Sequence, residues 1–112
     1  MGFTVTDAWV SAVVAKDGTT SAEADLGRNC DMVMVYVPTI DNATVAIYAA
    51  TASGGTFAAV KITNVDGTEE PLLAGASVGG FFWRVPFGAR YLKVVCGATQ
   101  TTALRTFQVL GL

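Results

Sequence analysis

Residues 31–50 read DMVMVYVPTIDNATVAIYAA. Met32 to Val37 is apolar at every position, and so is Val45 to Ala50. A strand with one wet side alternates apolar with polar residues, because successive side chains point to opposite faces. Here Val33, Val35 and Val37 make one face, and Met32, Met34 and Tyr36 make the other. A two-layer β structure turns only one face of each strand to the core. The second face therefore needs a cover: a long loop such as 64–79, or a neighbouring subunit.

Working outward, the rest of the chain has the same character. It holds 112 residues, enough for one domain spanning 1–112, with residues 1–7 as an N-terminal arm. It is 52% hydrophobic and only 14% charged, where soluble domains carry about a quarter charged residues. Mean hydropathy is +0.48. Part of that surplus is Ala, Val and Gly used in strands, and part implies apolar surface hidden by other subunits.

Turn formers recur at short intervals: Asp17-Gly18, Gly27-Arg28-Asn29, Asp41-Asn42, Gly54-Gly55, Asp66-Gly67, Gly79-Gly80, Gly88 and Gly97. The runs between them are rich in Val, Thr, Ile, Phe and Tyr, which suit a pleated surface. Strands are expected near 8–15, 20–26, 31–37, 44–51, 56–63, 80–86, 90–96 and 104–110, with a short piece near 72–74. No window holds a capped 3.6-residue apolar period. The fold class is all-β: an antiparallel β-sandwich, jelly-roll-like, of about eight strands. VMVYVPTIDNATVAIYAA and FFWRVPFGARYLKVVC both run strand, Val-Pro, turn, strand, which reads as two hairpins built alike. Alternation puts Leu92, Val94 and Cys96 on one face and Tyr91, Lys93 and Val95 on the other, while Phe107 and Val109 are expected to face in and Arg105 out.

Several kinds of chemistry are missing. There is no histidine, which removes Ser-His and Cys-His pairs and His metal sites. No P-loop, GxGxxG or GxSxG occurs. Adjacent Glu69 and Glu70 would point to opposite faces of a strand, a poor arrangement for shared proton transfer. Asp7, Asp25, Asp31, Asp41 and Asp66 lie beside turns, where Asx side chains close the turn on nearby backbone. No catalytic residue, cofactor or metal is expected, and the chain does not read as an enzyme. With a net charge of −2 and scattered cations, no phosphate-tracking groove is expected, hence no nucleic acid. The apolar runs break at Pro38, Asp41 and Asn42, short of the ~18 residues a spanning helix needs, so no membrane is expected. MGFTVT fits a loose myristoylation pattern and Asn42-Ala43-Thr44 is a formal glycosylation sequon, both too tolerant to carry a conclusion. Without an export signal, Cys30 and Cys96 are expected as reduced thiols, and their spacing leaves the pairing open.

What remains is an aromatic cluster. Phe81 and Trp83 share one face of a strand; Phe82 and Arg84 share the other. The plain reading is a core strand with one pair inside. The functional reading makes the outward members a contact patch. Trp9, Met32, Met34, Tyr36, Phe82, Trp83 and Tyr91 are the candidate subunit or capsid interface, being the residue types enriched at interface centres. Stacking of a sugar on Trp83 or Tyr91 is the weaker alternative.

The ordered segments DLGRNCDMVMVYVPTIDNATVAIYAAT, GGTF, FFWRVPFGARYLKVV and LRTFQVLGL resemble small β-sandwich virion proteins of tailed bacteriophages, over roughly residues 24–112. They look most like capsid decoration (cement) or other head-associated proteins. The resemblance implies a homo-oligomer, a trimer favoured, bound to the major capsid protein on the outside of an icosahedral shell, with no active site. Its place would be the virion, after synthesis in the host cytoplasm. The rival expectation is a tail or fibre module that recognises a host-surface glycan.

Overall fold

A computed structural model describes residues 9–71 and 73–112. The arm expected at residues 1–7 lies outside the described residues. Ten strands follow in chain order: β1 (Val10–Val14), β2 (Gly18–Thr20), β3 (Ala24–Val37), β4 (Ala43–Ala50), β5 (Ala58–Ala59), β6 (Lys61–Thr63), β7 (Glu69–Pro71), β8 (Leu73–Ser77), β9 (Phe81–Gln100) and β10 (Arg105–Gly111). The chain is all-β, and every ladder is antiparallel. Eight strands form one sheet, ordered β1-β10-β3-β9-β4-β5, with β2 on β9 and β8 on β4; β6 and β7 form a separate two-stranded hairpin.

The sandwich is this one sheet bent back over itself. The 20-residue β9 is its spine. The first half of β9 pairs with β3, from Phe81 opposite Val37 to Pro86 opposite Met32. Its second half pairs with β4, from Tyr91 opposite Ala50 to Cys96 opposite Val45. The first layer is therefore β1, β10, the end of β3 and the start of β9. The second is the end of β9 with β4, β5 and β8. Between them lie Val33, Val35, Val37, Val85, Phe107 and Val109 from the first layer, and Val45, Ile47, Leu92 and Val94 from the second, all at 0% exposure. Close-packed interiors of this kind tolerate little change of volume.

Three expected turns lie inside strands: Gly97 is plain strand within β9, and the other two are bulges. Asp25 faces Tyr91 and Cys30 faces Ala89, so five steps along β3 match two along β9. The surplus, Leu26 to Asn29, bulges out. Gly27 supplies the left-handed backbone there, at φ 83°. Its N–H donates to Asp25 Oδ1 (2.8 Å), and Arg90 clamps the same carboxylate through Nε (2.7 Å) and Nη2 (3.0 Å). Conversely, Cys30 to Met32 spans two steps against three on β9, from Ala89 to Pro86. Gly88, at φ 96°, lies in that smaller bulge beside Pro86. The expected strands 20–26 and 31–37 thus fuse into β3 from Ala24 onward, and 80–86 and 90–96 fuse into β9. The two segments expected as matching hairpins are unlike: β3 and β4 do not pair with each other, and the second segment is one continuous strand.

Arg105 also departs from expectation. It shares parity with Phe107 and Val109, and its side chain is only 14% exposed. An inward-leaning guanidinium requires an anion, and Asp41, from the β3–β4 crossover, supplies it: Arg105 Nη2 donates to Asp41 Oδ1 (3.2 Å). The same carboxylate accepts from Thr102 Oγ1 (2.7 Å), Thr101 N–H (2.7 Å) and Thr102 N–H (3.1 Å). Asp41 was expected to close its own turn; it closes the distant β9–β10 turn instead. These donors, Thr102 foremost, hold its pKa down to about 2. Fully buried Gln100 completes the latch, accepting from Asp41 N–H (2.8 Å) and donating to Asp41 C=O (3.1 Å).

Both cysteines are free and buried. Burial pushes the Cys96 thiol pKa up.

Candidate interaction surface

The outer side of the first layer follows from strand register. Ser11 faces Gln108, Gln108 faces Tyr36, and Tyr36 faces Phe82. In the next row Leu110 faces Met34, and Met34 faces Arg84. In the row beyond, Met32 faces Pro86, and Leu112 N–H donates to the Met32 carbonyl (2.8 Å). Residues across a row project to one side of a sheet. These rows project away from the valine core, so β3 has one fully buried face and one face at the surface.

On that surface Met32, Met34 and Tyr36 are half-buried, and Phe82 is 63% exposed. Trp9, one residue before β1, is 43% exposed. The rings gather: Phe82 lies 5.1 Å from Tyr36 and 6.1 Å from Trp9 between centroids, both tilted. Tilted aromatic pairs at this spacing are favourable in themselves. Trp9, Tyr36, Phe82 and Gln108 line an open hollow of about 460 Å³. Exposed Arg84 stands one row from it, with no ion pair or hydrogen bond among the described residues.

Of the residues singled out from the sequence, the fold brings Trp9, Met32, Met34, Tyr36 and Phe82 onto this one face. Trp83 lies elsewhere: it is half-buried and packs against the core. Tyr91 lies past the bulges, pairing with Asp25 and Ala50, with the Arg90 guanidinium 5.2 Å from its ring centre. Gln108, Leu110 and Leu112 were missed. Continuing the alternation of Phe107 and Val109 would have turned them outward beside Tyr36 and Met34.

No group of three or more Cys, Asp or Glu among the described residues is placed to hold a metal. No helix among them is long and apolar enough to cross a membrane. The hollow offers rings, a thioether neighbour and one amide, which together bind by contact area.

Fold and surface define an all-β antiparallel sandwich with an apolar sheet face that the described residues leave partly exposed. No family model matches the sequence, and no curated protein matches it. Among solved structures, the chain is similar to the crystal structure of SPBc2 prophage-derived protein YomS, with a TM-score of 0.56 over 98% of this chain and 97% of that one. Identity is 14%, so the likeness is one of fold. The chain thus shares its sheet-rich architecture with a prophage-derived protein.

Proposed function

We propose that this chain is a structural protein of a phage particle, decorating the outside of the capsid as a homo-oligomer, a trimer favoured, bound to the major capsid protein. The observation behind this reading is the outer face of β3. Trp9, Met34, Tyr36 and Phe82 form an apolar patch that a single copy leaves partly in water, and such patches mark contact surfaces. The fold shared with a prophage-derived protein supports the phage setting. A shell lattice multiplies weak contacts by holding many of them at high effective concentration. The role is one of binding, with no catalytic step, and its setting is the capsid surface.

The glycan-binding alternative gains no support from the geometry. Its platform rested on Trp83 and Tyr91, of which Trp83 packs inward and Tyr91 is covered by Arg90. The test is co-sedimentation with shells of the parent particle that lack this chain. Binding that saturates at a fixed ratio to the major capsid protein is expected, with no specific hit on a glycan array. A chain that stays in the supernatant at all ratios overturns the reading.

A further inference from the structure

Hairpin β6–β7 stands apart from the main sheet, its strands sharing a ladder only with each other. Lone two-stranded hairpins are marginal in water, yet this one has a well-tied tip. Asn64 N–H donates to the Thr68 carbonyl (2.7 Å) and Gly67 N–H to the Asn64 carbonyl (2.9 Å). Thr68 donates to Asp66 Oδ1 through both N–H (3.0 Å) and hydroxyl (2.7 Å). This tied turn presents Val65 at 109% relative exposure, the highest of the exposed large hydrophobic residues among those described. Ordering backbone costs conformational entropy, and Val65 recovers none of it by burial against the described residues.

We propose that β6–β7 is an assembly arm, and that Val65 of one copy seats in the Trp9–Tyr36–Phe82–Gln108 hollow of a second copy. The proposal rests on the self-association in the reading above and says which surfaces perform it. Shape is the first argument: an apolar knob and an apolar hollow, neither filled by any of the described residues. Charge is the second. Asp66 and Glu69 lie exposed at the tip, while Lys61 sits at the base opposite Pro71. Arg84 lies one sheet row from the hollow with no ion pair among the described residues, so the acidic flank of Val65 meets a single cation beside the hollow. Placement is the third. The arm follows β5 in the second layer, and the hollow opens on the outer side of the first. Knob and hollow are different surfaces, so the contact is head-to-tail, the kind that closes into rings such as trimers.

The test uses two single variants, Val65→Cys and Ser11→Cys, the second at an exposed position that faces Gln108 in the sheet row of the hollow, so that the aromatic lining stays whole. Native Cys30 and Cys96 are buried at 1% and 2% exposure and stay out of the reaction. Under mild oxidation, the mixture is expected to yield a covalent dimer in clear excess over either variant alone. Arg84→Glu should weaken assembly about tenfold, and adding Glu69→Arg should restore it. Ser11→Cys cross-linking to itself as fast as in the mixture overturns the proposal, because the hollows then meet face to face. So does cross-linking to the major capsid protein alone, and so does a mixture that never cross-links. Co-sedimentation of Val65→Cys with shells separates the two ideas: shell binding without the cross-link sinks the arm alone, and the cross-link without shell binding sinks the capsid reading alone.

Discussion

On the outer side of the second layer, β4 turns Thr44, Ala46 and Tyr48 outward; on the outer side of the first, β3 turns Met32, Met34 and Tyr36 outward. Both strands come from the same apolar stretch. Ala46 is already down to 9% exposure between its neighbours Val95 and Leu73, since a methyl group is easily covered. Tyr48 pairs with Lys93, whose ammonium lies 4.6 Å from the centre of the Phe57 ring. The chain's own 51–57 loop is tied to this side by Glu23, which accepts from Ser53 Oγ (2.7 Å) and Gly54 N–H (2.8 Å). Those two donors hold the Glu23 pKa below the usual carboxylate range. On the first layer Trp9 and Tyr36 lie against Phe82, and Trp9 and Phe82 stay exposed. Small residues, a cation over an aromatic face and a tethered loop cover much of one apolar strand. On the other, thioethers and aromatic rings remain at the surface among the described residues.

Five substitutions, the last read across acid pH, probe this contrast. The largest effect belongs to the core that both layers share. Phe107→Ala should cost about 3–5 kcal/mol, because the cavity lies where the layers meet. A single cooperative shift of the denaturant midpoint is expected, by circular dichroism and by tryptophan emission alike; two separate transitions would mean that the layers fold independently. Next, Phe82→Ser should weaken self-association by about 2 kcal/mol or more, roughly thirtyfold. The melt of the monomer should move by only about 0.5 kcal/mol. Tyr48→Ser on the other face should do the reverse, lowering stability and leaving association intact. If both variants behaved alike, the two faces would not differ as described.

A smaller effect is expected for Lys93→Ala. Loss of the contact with Phe57 should destabilise by about 0.5–1 kcal/mol, read from urea midpoints, with oligomer size unchanged. The last prediction concerns acid. The folded-state pKa of Asp41 lies at about 2, below its ordinary 3.8. A depressed carboxylate contributes stability above its unfolded pKa and loses it as pH falls towards the folded one. The midpoint should therefore drop between about pH 4 and pH 2, and Asp41→Asn should flatten that part of the profile. Because Asp41 ties the crossover between layers to the β9–β10 turn, unchanged slopes in wild type and variant would show that the latch is not load-carrying.

Much of this contrast is legible in residues 31–50, because alternation depends only on the two-residue period of a strand. It separates Val33, Val35 and Val37 from Met32, Met34 and Tyr36 without knowing any partner strand. The same rule applied to 81–85 separates Phe82 from Trp83, yet type alone placed both in the candidate patch. What local reading misses is where parity changes. Gly27 and Gly88 look like hairpin turns, since a positive φ serves a bulge as well as a turn. Only the pairing with a distant strand decides between them. That choice moves Tyr91 away from Phe82 and makes β9 continuous. Asp41 illustrates the same limit: its nearest turn is its own, but its donors come from Thr101, Thr102 and Arg105, about sixty residues on.

The most direct measurement is sedimentation velocity of the wild-type chain over a wide dilution series. The account predicts an assembled species that gives way to an 11.6 kDa monomer on dilution, with Phe82→Ser shifting that transition to higher concentration. A homogeneous 11.6 kDa monomer at every concentration, indifferent to Phe82→Ser, would contradict it.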